Sequence, residues 1–283
     1  MGSTTPDGVT STGREPDRAD EATRLGEQAA GRLLTAPREA ERYLRAALAA
    51  GKGTLAPEQL AHLHAQLVTV LSGTTDRETE LAEAALDAAR HWEALSGETA
   101  AHLILVAARA LHRAGRHARA VELFARGLTA PAPYPAPEVA VLRGQYGRSL
   151  RLLGDHRAAA GQYLAAAHVV RAMPDHRELR AQLTWSAASA LDACGADGPA
   201  ALAYLRAADL WGELGRIGPR ARCLRSAAWL RFWAATTVES RRPSIEALRA
   251  LLAELQEHAA HQPSREIANE LDHTRRQLTD MLE

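Results

Sequence analysis

Aromatic side chains are scarce in this chain of 283 residues, which has five Trp, five Tyr and two Phe, 4% of the total. A core filled by large rings is therefore excluded. The 46% hydrophobic content, dominated by Ala, suits helices that approach closely. Val, Ile and Thr never cluster in alternating runs, which excludes a sheet. Two cysteines, Cys194 and Cys223, are too few for a disulfide framework; both stand in Ala-rich helical surroundings and read as buried free thiols, suited to a reducing cytoplasm. No run of about 18 apolar residues occurs, and the start lacks a charged-then-apolar pattern, so neither a membrane helix nor a secretory signal is expected. Met1–Pro6 misses the myristoylation pattern because Pro6 stands where Ser or Thr is needed. The expectation is a cytoplasmic protein away from membranes. Lysine is nearly absent: of 34 basic residues only Lys52 is one, which reads as composition bias rather than functional choice.

Net charge is zero, which argues against direct nucleic-acid binding. The charge is uneven, however. Residues 1–100 hold 10 basic against 16 acidic side chains, whereas residues 101–180 hold 12 against 5. A basic middle can attract an acidic ligand, or the acidic first third of a second copy as a homo-oligomer.

What the chain does have is a repeat. Gly–x–His/Asp–x–x–Ala–x–x–x–aromatic–x–x–small occurs three times: Gly115, His117, Ala120, Phe124, Gly127; then Gly154, His156, Ala159, Tyr163, Ala166; then Gly195, Asp197, Ala200, Tyr204, Ala207. The copies start 39 and 41 residues apart. Small pairs precede each Gly (Ala107-Ala108, Tyr146-Gly147, Ala187-Ala188), so two antiparallel helices can approach while the aromatic fills the gap to the next pair. Around these clear repeats, at residues 99–214, the pattern is degenerate over 18–98 and 215–283. Residues 1–17 lack apolar periodicity and read as a disordered tail. Ala130–Pro137, with four alternating prolines, reads as an extended polyproline-type connector. Thr236–Ser244 reads as an insertion, with helices starting near Ser244 and Ser264. About thirteen helices are expected.

The repeat resembles the tetratricopeptide repeat (TPR), in a long form similar to the solenoids of bacterial transcription regulators, peptide-responsive regulators and kinesin light chains. The resemblance implies an all-α, right-handed TPR-like superhelix of about six helix pairs, forming one solenoid over residues 18–283. Such solenoids are commonly joined to DNA-binding or nucleotide-binding modules. No Gly-rich phosphate loop occurs here, and no helix-turn-helix fits ahead of the repeats, so the expectation is a receptor arm alone.

TPR arrays take a peptide on the face built by the first helix of each pair. Carried onto this sequence, that face holds His102, Arg109, His112 and Arg113, then Arg148 and Arg151, then Trp185 and Ser189. Guanidinium forks there would hold carboxylates or phosphates in two-toothed fashion. The asparagines by which cochaperone TPRs clamp an acidic tail are absent from this face. Four of the five tryptophans fall within 49 residues, and Trp229, Phe232 and Trp233 share a helix side, where they form either an aromatic pocket or bulky core.

Chemistry is harder to find. His62 and His64 diverge on a helix, and His258 with His261 lacks further ligands, so no metal site and no cofactor is expected. There is no G-x-S-x-G turn. The reading is a non-enzymatic regulatory scaffold or adaptor for an acidic protein or peptide segment. The alternative is a sensor of a small molecule or signal peptide near Trp185 and Trp229.

Overall fold

The computed structural model describes residues 15–129 and 134–283. Among them there are thirteen α-helices and no strand. They run α1 (Glu15–Ala30), α2 (Pro37–Gly51), α3 (Pro57–Ser72), α4 (Glu78–Trp92), α5 (Gly97–Arg113), α6 (His117–Gly127), α7 (Ala136–Leu152), α8 (His156–Val169), α9 (Arg177–Ala193), α10 (Asp197–Glu213), α11 (Ile217–Ala234), α12 (Val238–His261) and α13 (Arg265–Leu282). The architecture is an all-α TPR-like array of about six helix pairs. The helices group into two compact units. The first holds α1–α5 and the end of α6 from Ala125; the second holds His117–Phe124 of α6 and α7–α13.

Local chemistry sets the helix limits. Pro37, Pro57 and Pro137 stand in first turns, where a missing N–H removes no helical bond. Ser96, Asp155 and Ser264 cap α5, α8 and α13 by accepting the backbone N–H three residues on. The repeat glycine closes the first helix of each clear pair. Gly115, Gly154 and Gly195 all take left-handed backbone, with φ of 71°, 84° and 72°. The N–H of the next residue then reaches back to the carbonyl of Leu111, Leu150 or Leu191 at 2.8–3.0 Å, satisfying an end that would otherwise be orphaned. Gly215 repeats the device at the end of α10, where the sequence motif has already lapsed.

This conformation makes a clean prediction. Nothing lies within 4 Å of a Cβ built on Gly154 or on Gly161, which sits mid-helix in α8. Gly154→Ala should cost about 1–2 kcal/mol because of its positive φ alone. Gly161→Ala should gain about 0.5–1 kcal/mol from helix propensity. Thermal denaturation of the two variants would show opposite shifts, and equal shifts would refute the cap assignment.

In the first unit α1 packs on α2, α3 on α4, and α4 on α5. Ala40, Leu44, Leu71, Ala85, Ala88 and Leu105 are completely buried. A charged network joins α2 to the start of α4: Arg77 donates two bonds to Glu41 at 2.7 and 2.8 Å, and Arg45 pairs with both Glu41 and Glu80. The Arg77 hydrogen bonds hold the Glu41 carboxyl below the ordinary carboxylate range, against the opposing effect of its burial.

In the second unit each helix from α7 to α13 packs on its successor, and α13 also packs on α11. The small-residue pairs do what their size allows. A Cβ on Gly147 would lie 3.0 Å from the Tyr163 ring and 3.2 Å from the Ala159 carbonyl, so α7 and α8 meet more closely than an ordinary Cβ contact. Phe124 is fully buried and stacks against Tyr146, with ring centroids 5.8 Å apart. Tyr163 and Tyr204 are buried to within 5%.

Three expectations shift. Helix α1 takes in Glu15–Asp17, which the sequence places in the tail; residues 1–14 lie outside the described residues. Of the expected Ala130–Pro137 connector, 130–133 lie outside the described residues, while Ala136 and Pro137 form the first turn of α7. The expected insertion at Thr236–Ser244 is mostly helix. Thr237 and Ser240 cap each other's backbone N–H and start α12 at Val238, ahead of Pro243. Pro243 then gives up one bond to the Glu239 carbonyl without ending the helix.

Candidate functional site

The second unit brings four of the expected groove residues into one pocket. Arg148 and Arg151 from α7 face Trp185 and Ser189 from α9, with Gln182 and Ser186 completing the α9 side. Tyr163 of α8 also lines the pocket, whose volume is about 310 Å³. The helical period explains the gathering. Gln182, Trp185, Ser186 and Ser189 recur at steps of three and four, which places them along one side of α9.

Both arginines are exposed, and no ion pair among the described residues engages either one. Burial pushes the Tyr163 phenol up, while Arg151 beside it, and then Arg148, work the other way. The phenol therefore stays protonated at neutral pH and offers the pocket a hydroxyl. Trp185 is half-buried, packs on the α9–α11 core, and carries the Arg222 guanidinium 5.6 Å from its ring centre. The lining thus offers two cations, three hydroxyls, an amide and an indole wall.

The other expected groove residues lie on α5 in the first unit and do not line this pocket. Arg109 is half-buried, and its Nε lacks a hydrogen-bond partner. Arg113 comes within 3.7 Å of Glu78. His102 is exposed and His112 half-buried, both engaged in contacts.

The aromatic group at Trp229, Phe232 and Trp233 is divided between core and surface. Phe232 is buried in the α11–α13 core at 4% exposure, whereas Trp233 is 55% exposed. Trp233 meets Trp229 and Phe232 edge-on at 5.5 and 5.3 Å, under the guanidinium of Arg241. The i, i+3, i+4 spacing is correct, but the core takes one member and solvent another. Trp229 lines a pocket of about 360 Å³ with Asp192, Arg225, Ser226, Leu230, His273, Arg276, Gln277 and Asp280. Trp185 is not part of that lining. Its α13 residues escape sequence reasoning because the repeat pattern has lapsed there, and only packing reveals that α13 closes on α11.

Neither cysteine is set up as a nucleophile. Cys223 is fully buried, and burial pushes its thiol up to about 12, against a smaller opposing effect of Arg222. Cys194 donates to the Leu191 carbonyl at 3.2 Å. Among the described residues, no three His, Cys, Asp or Glu side chains group to hold a metal ion, and no helix is long and apolar enough to cross a membrane.

No family model and no curated protein matches the sequence. Solved structures do. The chain is similar to the apo form of RapI, with 11% identity, covering 92% of this chain and 99% of that one at a TM-score of 0.50. It is similar to a Podosopora anserina protein of nearly identical TPR-like repeats, named for kinesin light chain, with 17% identity, 71% and 96% coverage and a TM-score of 0.47. A third similar structure is PlcR of Bacillus thuringiensis, solved with the peptide PapR7 and DNA, at 14% identity, 72% and 74% coverage and a TM-score of 0.39. At such identities the likeness shows a fold, and that fold is the TPR-like helical repeat.

Proposed function

We propose that this TPR-like chain is a non-catalytic regulatory scaffold that takes an acidic protein or peptide segment in the α7–α9 pocket of its second unit. The observation that carries the reading is the pair of exposed guanidiniums, Arg148 and Arg151, side by side and without carboxylate partners among the described residues. Arg45, Arg77, Arg126, Arg220, Arg222 and Arg225 find acids among the described residues, whereas Arg148 and Arg151 are among the arginines that do not. What sets these two apart is their place in one pocket, opposite an indole and two serines, where a ligand can reach them. Affinity would come from charge-assisted hydrogen bonds, with Trp185 adding apolar contact.

The test is fluorescence anisotropy with a labelled Glu-rich peptide. Binding should weaken as salt is raised, and Arg148→Glu should weaken it by at least about tenfold with helicity unchanged. Equal affinity of the native and Arg148→Glu proteins would falsify the assignment. A small-molecule or signal-peptide sensor would use the same Trp185 wall. Tryptophan emission that responds to a metabolite, with no response to the peptide, would favour that second reading.

A further inference from the structure

The two clear repeats of the second unit hold their groove residues by one device but with opposite charge. Three residues before the repeat glycine stands Arg151 in α7 and Asp192 in α9. Nine residues after it stands a tyrosine that reaches back to that same position. Tyr163 lies beside Arg151, and the Tyr204 hydroxyl donates to Asp192 Oδ2 at 3.4 Å. Six residues before the glycine, Arg148 is likewise replaced by Ser189. A cationic station on α7 is therefore followed by an anionic one on α9.

The anionic station is not alone. Asp280 of α13 lines the same 360 Å³ pocket as Asp192, and no ion pair among the described residues engages either carboxylate. Of the arginines in that lining, Arg225 is held by Glu270 at 2.7 Å, which leaves Arg276. Among the described residues, two carboxylates and one guanidinium of this lining thus stand outside any ion pair. Trp229 supplies an apolar wall, and Ser226 and Gln277 supply neutral polar groups. This pocket also adjoins the first one. Ser189 lines one and Asp192 the other, on the same side of α9 and roughly 4.5 Å apart along its axis.

We propose that the α9–α11–α13 pocket receives a cationic group of the same ligand whose acidic group meets Arg148 and Arg151. The partner is then a bipolar segment, with an acidic side chain and an ammonium or guanidinium close by, bound in one direction only. The inference rests on the anionic-pocket reading above. The cation is either a basic side chain or a free amino terminus, since Asp192 and Asp280 recognise the positive charge common to both.

Labelled synthetic peptides in an Ala/Ser background would test it by anisotropy. With the amino terminus blocked, one peptide carries Glu alone, one Lys alone, and others carry both in either order. The two charges are set about two to five residues apart, a reach of roughly 7–17 Å in extended chain. A further peptide carries Glu and a free amino terminus but no Lys. The native protein should bind one Glu–Lys order roughly tenfold tighter than Glu alone, and Asp192→Asn/Asp280→Asn should erase that gain while leaving Glu-only binding and helicity unchanged. A gain from the free terminus without Lys assigns the cation to a chain end; a gain from Lys only assigns it to a side chain. Equal affinity for Glu-only and every bipolar peptide would overturn the cation subsite and leave the acidic-segment reading standing. Binding that never depends on Glu would sink that reading, and this inference with it.

Discussion

Replacing Phe124 with alanine should destabilise the protein by about 3–5 kcal/mol, the range for emptying a buried aromatic site. The ring has no exposed surface, stacks on Tyr146, and is supplied by a repeat whose other two members, Tyr163 and Tyr204, are buried almost as fully. Leu34→Ser, at a leucine 96% exposed, should stay within about 0.5 kcal/mol and serves as the reference. Urea denaturation followed by helical circular dichroism measures both. A loss below about 1 kcal/mol for Phe124→Ala would mean that the ring is not in a packed core.

A comparable loss is expected from Glu270→Ala, for a different reason. Glu270 is only 6% exposed on α13, yet it holds Arg225 at 2.7 Å and Arg222 at 3.2 Å, both from α11. Gln277 adds a bond from α13 to the Arg225 carbonyl at 2.8 Å. Removing the carboxylate leaves a largely buried guanidinium uncompensated, a change worth about 3–5 kcal/mol. The pair itself need not be a net stabiliser, because two charges were desolvated to make it. Arg225→Met/Glu270→Leu should therefore recover most of what Glu270→Ala loses. The same denaturation assay decides the matter. If the double replacement is as damaging as the single, the defect lies in packing rather than in the orphaned charge.

Much of this fold is legible in the sequence because the repeat carries its own physical reasons. A glycine must cap, a small pair must let helices meet, and an aromatic must fill the remaining gap; each is tied to a residue type. Gly154, Gly147 and Tyr163 do these three jobs in adjoining positions. The periodicity also placed Arg148, Arg151, Trp185 and Ser189 on one side of their helices, and the second unit gathers them around a single pocket. Less was legible where two rules compete. Pro243 and its polar neighbours read as a break, but the reciprocal cap of Thr237 and Ser240 starts the helix ahead of the proline. Spacing put Trp229, Phe232 and Trp233 together, but spacing cannot say that Phe232 goes to the core and Trp233 to solvent. Asp280 and His273 carry no repeat signal, since their place beside Asp192 follows from how α13 lies on α11.

The tyrosine that reaches back toward the groove has a bearing on how such a chain can change over time. The position it touches, three residues before the glycine, is Arg151 in one repeat and Asp192 in the next, and its counterpart in the first copy is His112. The capping glycine and the buried ring stay as they are while the charge they present is inverted. Under the proposed reading, ligand preference is thereby uncoupled from foldedness. On that reading, a single replacement such as Arg151→Asp would change what the pocket presents while the cap and the ring that hold the repeat together stay in place.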